Sequence, residues 1–185
     1  MVKRILIIGI ILSFMLSCEG DISLDYEFTD LSVENAENTG GAPVVSPLDS
    51  ISAASYVLRL NLFPVEVSRS RGRYLDAETP PRNINRPDSI NITANLDFDM
   101  EHPAGTSLND YFLILNHNYL HTSTLDDLYI TNQYTYLFYD EPLPKYADLL
   151  LMEMPEIEGD FIFTVYLELL DGTSFAQSTT LIRLN

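Results

Sequence analysis

The stretch Phe161-Ile-Phe-Thr-Val-Tyr-Leu-Glu-Leu-Leu-Asp-Gly-Thr-Ser-Phe175 decides the fold class. Successive side chains of an extended chain point to opposite faces. Phe161, Phe163, Val165, Leu167 and Leu169 therefore share one face, and Ile162, Thr164, Tyr166 and Glu168 the other. Asp171-Gly172 supplies the turn, and an Asp-Gly pair between alternating runs is the strongest short-range hairpin signal. The chain from Phe175 to Leu184 is expected to return as the partner strand.

The same period recurs upstream. Leu24, Tyr26 and Phe28 alternate with Asp25, Glu27 and Thr29, a half-buried strand that continues through Leu31 and Val33. Residues 34–50 are rich in Asn, Gly, Pro and Ser and read as a loop. Tyr56, Leu58, Leu60 and Leu62 oppose Ser55, Arg59 and Asn61. Pro64 has no N–H to give, so that strand either ends there or runs along an edge through Val65 and Val67. Residues 68–87 read as a long polar excursion, after which Ile90, Ile92, Ala94, Leu96 and Phe98 form another alternating strand.

Residues 99–106 read as a turn punctuated by His102-Pro103-Ala104-Gly105. Ser107-Leu-Asn-Asp110 has the form of a capping box with Asp in the last place, so a short helix is expected from Leu108. The apolar run Tyr111–Leu115 suits a strand equally well. Thr124-Leu-Asp-Asp127 repeats the capping pattern, and 134–139 and 147–154 read as strands. No period of 20–50 residues repeats, and strands do not alternate with helices. The expectation is all-β: an antiparallel β-sandwich of about seven strands with one or two short helices in loops, filling one domain over 24–185.

The N-terminus has a different character. Lys3 and Arg4 precede an apolar run from Ile5 to Leu16, which Ser17-Cys18 closes. As a helix that run measures about 18 Å, well short of a bilayer core of about 30 Å, so it reads as a signal peptide over 1–17 and not a span. Phe14-Met-Leu-Ser-Cys18 resembles a lipobox, with Met15 where Leu is usual. Cys18 is then the lipidated residue, 18–23 a tether, and several acyl chains make the attachment effectively permanent. Because Cys18 is the sole cysteine of the 185 residues, no thiol is left for a disulfide.

The formal charge is −17, and loss of Lys3 and Arg4 makes the remainder more acidic still. Nucleic acid is excluded as a partner, since binding it requires Lys and Arg on phosphates.

Asp88-Ser-Ile-Asn-Ile-Thr and the run from Asp97 to Phe112 are similar to segments of small uncharacterised lipoproteins of the Bacteroidota lineage. The stretch from Gly159 to Phe175 resembles the last hairpin of immunoglobulin-like surface domains. The resemblance implies an immunoglobulin-like sandwich on the outer membrane, on its periplasmic or extracellular face, and brings no catalytic residues with it. Glu19 and Asp21 resemble an acidic surface-export tag, interrupted by Gly20. Asp49-Ser50-Ile51 and Asp88-Ser89-Ile90 resemble O-glycosylation triplets, which would make Ser50 and Ser89 acceptors; as plain chemistry they are turn residues that start strands.

Four groups remain as candidate sites. Asp97, Asp99 and Glu101 place three carboxylates on one side of an extended segment, an oxygen set that suits calcium. A solvated acidic strand edge explains them equally. His117 and His121 are four apart, but Asn118 stands where a zincin has its Glu, so that motif fails. Arg69, Arg71, Arg73, Arg82 and Arg86 concentrate positive charge in an acidic chain and read as a docking loop for an anionic partner, or as arginines paired with local carboxylates. Eleven tyrosines could stack on sugars, although no Trp is present.

There is no nucleophile elbow and no glycine-rich phosphate loop. The expected function is a non-enzymatic binding or envelope-support module, without a cofactor, held to the membrane by its lipid and contacting an envelope protein or glycan. The alternative is a carbohydrate-binding or carbohydrate-processing accessory lipoprotein.

Overall fold

The computed structural model describes residues 21–72, 82–115, 122–125 and 146–185. In chain order its strands are β1 (Asp21–Glu37), β2 (Val44–Val45), β3 (Ser50–Ile51), β4 (Tyr56–Gly72), β5 (Arg82–Asn85), β6 (Pro87–Ala94), β7 (Phe112–Leu115) and β8 (Thr122–Ser123). They continue as β9 (Tyr146–Leu151), β10 (Gly159–Phe161), β11 (Phe163–Leu169), β12 (Ser174–Ser178) and β13 (Ile182–Leu184). Single 3₁₀ turns occupy Ala53–Ser55 and Asn109–Tyr111. The fold is all-β and sandwich-like, as the alternation predicts.

One layer is a seven-stranded sheet ordered β2-β1-β4-β9-β7-β8, with β5 also on β1. The opposite layer is made of β12-β11-β6 and β10-β13-β3. Most pairs are antiparallel, but β5 runs parallel to β1 and β3 parallel to β13. The backbone of the large sheet is the β1–β4 pair, in register from Asp21 opposite Gly72 to Glu37 opposite Tyr56, with irregularities at Asp25/Tyr26 and Phe28/Asp30.

The C-terminal alternation holds in full: Phe161, Phe163, Val165, Leu167 and Leu169 are all buried. Gly172, at φ 85°, turns the β11–β12 hairpin, and Asp171 Oδ1 accepts the Thr173 N–H at 2.8 Å. The returning strand is interrupted, however. At Thr179 the chain leaves β12 and resumes in β13, beside a different neighbour. The Phe163 N–H donates to Thr179 Oγ1 at 3.1 Å, and the Thr179 N–H to the Phe163 carbonyl at 2.9 Å. A hydroxyl thus replaces one ladder acceptor where the chain changes partners, as buried backbone groups require.

Other segments depart from expectation: the strand expected through Leu96 and Phe98 ends as β6 at Ala94, and that expected over 147–154 ends as β9 at Leu151. Residues 34–37 belong to β1, and the described residues of the polar excursion, 68–72 and 82–87, are largely strand. The chain passes Pro64, opposite Phe28, and stays paired with β1 as far as Gly72; β5 and β6 occupy most of 82–94. Ladder bonds join backbone to backbone, so Ser68, Arg69, Ser70 and Arg71 need no apolar pattern once β1 presents a long partner. Past Asn61, where its pairing with β9 ends, β4 has only β1 as a described neighbour, which is where a strand tolerates Pro64. The capping box at Ser107 gives only the turn Asn109–Tyr111 before β7, so both readings of that segment are partly realised.

Between the layers, Tyr56 stacks on Phe163 at 5.1 Å between centroids, and Phe112 meets Phe163 edge-on at 5.8 Å. Each such ring, withdrawn from water, contributes about 1.5–3 kcal/mol.

The strand directions define two ends. At one, β1 begins, β4 finishes and β5 pairs with β1; the Leu170 N–H donates to the Arg86 carbonyl there at 3.1 Å. At the other lie the ends of β1, β6 and β9 and the segments 95–111 and 152–158.

Candidate functional site

Phe98, fully buried against Phe161 and Tyr111, pins the start of the 95–106 loop. Its N–H donates to the His102 carbonyl at 2.9 Å, and Gly105, at φ 81°, donates to the Ala94 carbonyl at 2.9 Å. Asp97 Oδ1 accepts the Ala104 N–H at 2.8 Å, and Asp99 Oδ1 accepts the N–H groups of Glu101 and His102, each at 2.7 Å. An Asp that captures backbone donors two and three residues ahead is the usual chemistry of a tight turn. Met100 stands at the tip.

Asp99 has a second role. Its Oδ2 accepts the Tyr111 hydroxyl at 2.7 Å, and its Oδ1 lies 3.0 Å from His102 Nδ1. The other ring nitrogen, Nε2, is 3.3 Å from Asp110 Oδ2, and the imidazole packs against Tyr111 at 4.5 Å. Both ring nitrogens thus face carboxylates. A neutral imidazole has one N–H, and only the protonated ring can donate to both.

The electrostatics follow. The hydrogen bond to Asp99 raises the His102 pKa above 6.5, partial desolvation opposes this, and the charges of Asp99 and Asp110 add to the rise. For Asp99, partial desolvation acts upward, but the donors Tyr111, His102 and Glu101 together lower it to about 2. Tyr111 rises to about 12, chiefly through its bond to Asp99. The cluster clamps the loop to the turn that precedes β7.

Beside Asp110 lies a cleft of about 260 Å³ lined by Asn109, Asp110, Phe112, Leu113, Thr124 and Leu125. That is below the usual range of small-molecule pockets.

Asp97 and Asp99 use their oxygens within the loop and Glu101 is exposed; among the described residues, no three His, Cys, Asp or Glu groups are placed to hold a metal ion. Arg69 lies opposite Leu24 and Arg71 opposite Ile22 from β4, and Arg82 opposite Asp25 from β5, so three of the five arginines flank the first residues of β1. They belong to strands and not to a loop. Arg86 is exposed between β5 and β6. Ser50, on β3, accepts the Asn185 side-chain N–H at 3.2 Å, and Ser89 is exposed on β6 opposite Glu168. Cys18, Arg73, His117, His121 and the expected strand 134–139 lie outside the described residues.

The cluster of His102, Asp110 and Tyr111 escapes the sequence reading because each scans as something else: His102 as turn punctuation, Asp110 as the last place of a capping box and Tyr111 as the start of an apolar run. The usable signal is Asp99 three positions before His102, ahead of Pro103-Ala104-Gly105: a turn whose carboxylate also meets a titratable ring.

Residues 28–180 match the family described as a domain of unknown function, DUF5034. The chain belongs to that family. No curated protein and no solved structure matches it. The DUF5034 span takes in both loops of the clamped end and starts well beyond Cys18. Among the described residues of this DUF5034 chain, no helix is long and apolar enough to cross a membrane.

Proposed function

We propose that this DUF5034 chain is a lipid-anchored, non-enzymatic binding module of the cell envelope, tethered to the outer membrane through Cys18 and presenting the loops over 95–111 and 152–158 to a partner. The observation that carries the reading is geometric. β1 begins at Asp21, three positions after Cys18, and it begins at the end of the sheets opposite those loops. Three residue steps span at most about 11 Å, so an acylated Cys18 would hold the start of β1 close to the lipid. β1 and β4 run from that end toward the clamped loops, so an anchor at Cys18 would leave the loops at the end away from the lipid.

Mass spectrometry of the native protein is the test. The expected result is a mature chain that starts at an acylated Cys18 and a Cys18→Ala variant that no longer partitions with membranes. An unmodified N-terminus, or a Cys18→Ala variant still held by membranes, overturns the anchor.

A further inference from the structure

Apolar side chains are displayed at the loop end. Met100 is 92% exposed, Met154 60%, Ile157 58% and Met152 50%. They occupy two segments that are bonded together: the Glu156 N–H donates to the Phe98 carbonyl at 2.9 Å, and the Met152 N–H to the Tyr111 carbonyl at 2.9 Å. The loop under Met100 is held by Asp97, Asp99 and the His102 clamp. A side chain carried outward on a pinned loop loses little further freedom on contact, and that preorganisation favours binding. Methionine adapts its unbranched thioether to irregular apolar surfaces.

Charge defines the complement. In 95–111 and 152–160 every charged residue apart from His102 is an acid. Arg183, on β13, faces Asp160 in the register. Arg69, Arg71, Arg82 and Arg86 stand at the far end, around β5 and the start of β1. Arginines are thus held at one end, among Asp25, Glu27 and Glu66, while the segments that carry the apolar display hold carboxylates without Lys or Arg, an arrangement that steers a cationic partner to the loops and repels an acidic one.

We infer that the loop end docks a cationic polypeptide segment that carries apolar side chains. Met100, Met154 and Ile157 meet its apolar groups and the surrounding carboxylates meet its Lys or Arg. This deepens the binding-module reading above, but it does not depend on the lipid: acylation of Cys18 and docking at the loops fail separately.

The test uses the full chain in detergent and three synthetic peptides of equal length, alternating Leu–Lys, Ser–Lys and Leu–Glu, titrated by calorimetry. The expected result is binding of Leu–Lys, none of Leu–Glu, and Ser–Lys weaker by about tenfold, the scale of losing one or two packed interface side chains. A Met100→Ser/Ile157→Ser double variant is expected to lose about tenfold for Leu–Lys, while Arg86→Gln at the far end leaves it unchanged. Equal binding of Leu–Lys and Ser–Lys, preference for Leu–Glu, no binding at all, or an unaffected double variant overturns the inference. Should the double variant unfold, amide chemical-shift changes in the native chain decide: changes confined to 95–111 and 152–158 support docking there, and changes elsewhere refute it.

Discussion

The Asn35 side-chain amide, on the inner face of β1, donates to both the carbonyl and the hydroxyl oxygen of Thr180, each at 3.0 Å, across 145 positions of sequence. Its own Oδ1 accepts the Tyr56 hydroxyl at 2.8 Å. Thr180 lies in the gap between β12 and β13, where its carbonyl has left the ladder. A single amide, 5% exposed, therefore joins the two layers where the chain of the second changes pairing partner.

Asn35→Ala orphans the Tyr56 hydroxyl, whose ionisation burial already pushes far up. The expected loss is about 2–3 kcal/mol, and Tyr56→Phe costs about 1–2 kcal/mol, since hydrogen-bonding groups left unmatched in a core are costly. Urea unfolding followed by tyrosine fluorescence measures both.

On the outer face of the large sheet, Arg59 holds Asp148 with two bonds, Nε to Oδ1 at 2.7 Å and Nη2 to Oδ2 at 2.9 Å. The guanidinium also donates to the Pro43 carbonyl at 2.9 Å and lies 4.1 Å from the centre of the Tyr146 ring. Arg59→Met leaves a buried carboxylate without its counter-charge and is expected to cost about 3–5 kcal/mol, whereas Arg59→Met/Asp148→Leu recovers most of that. A double-mutant cycle in urea tests it; equal losses in the single and double variants refute it.

Gly172 turns its hairpin at φ 85°, a region that any side chain strains. Gly172→Ala is expected to destabilise by about 1–2 kcal/mol even though nothing lies within 4 Å of the added methyl. Gly41→Ala, with equally open space and no positive φ, is expected to be near neutral. Paired thermal melts distinguish strain from crowding.

The His102 clamp makes loop stability depend on pH from both sides. His102 is raised in the fold above its ordinary 6.5, so its contribution is complete below about pH 6.5 and fades as pH rises through the folded value. Asp99 is lowered from 3.8 to about 2, so its contribution is complete above about pH 4 and fades as pH falls toward 2. Amide exchange over 98–106, corrected for intrinsic rates, is expected to be slowest between about pH 4 and 6.5. His102→Gln removes the upper limb and keeps the lower; an unchanged profile contradicts the clamp.

The core was legible in the sequence wherever a face had to be buried. Phe161 to Leu169 keeps the period of two throughout, and Tyr56 to Leu62 and Ile90 to Ala94 keep it apart from buried Val57 and Thr93, because burial selects side chains residue by residue. Arg69 and Arg71 were not legible as strand, since ladder bonds join backbone to backbone and select no side chain. The break at Thr179 was hidden for a related reason: a hydroxyl that replaces one ladder acceptor looks, in sequence, like any Thr in a strand. The clamp depends on Asp99, His102, Asp110 and Tyr111 meeting through a turn and a ring contact, and no periodicity records such a meeting.

The long antiparallel register of β1 and β4 also has a mechanical meaning. Tension between a membrane-held N-terminus and a captured partner at the loops would pull along β1, and so across its ladder in shear. From Asp21–Gly72 to Glu37–Tyr56 the bonds would resist together and not unzip one after another. A leash attached at β1 would give the domain its stiffest direction where traction would be applied.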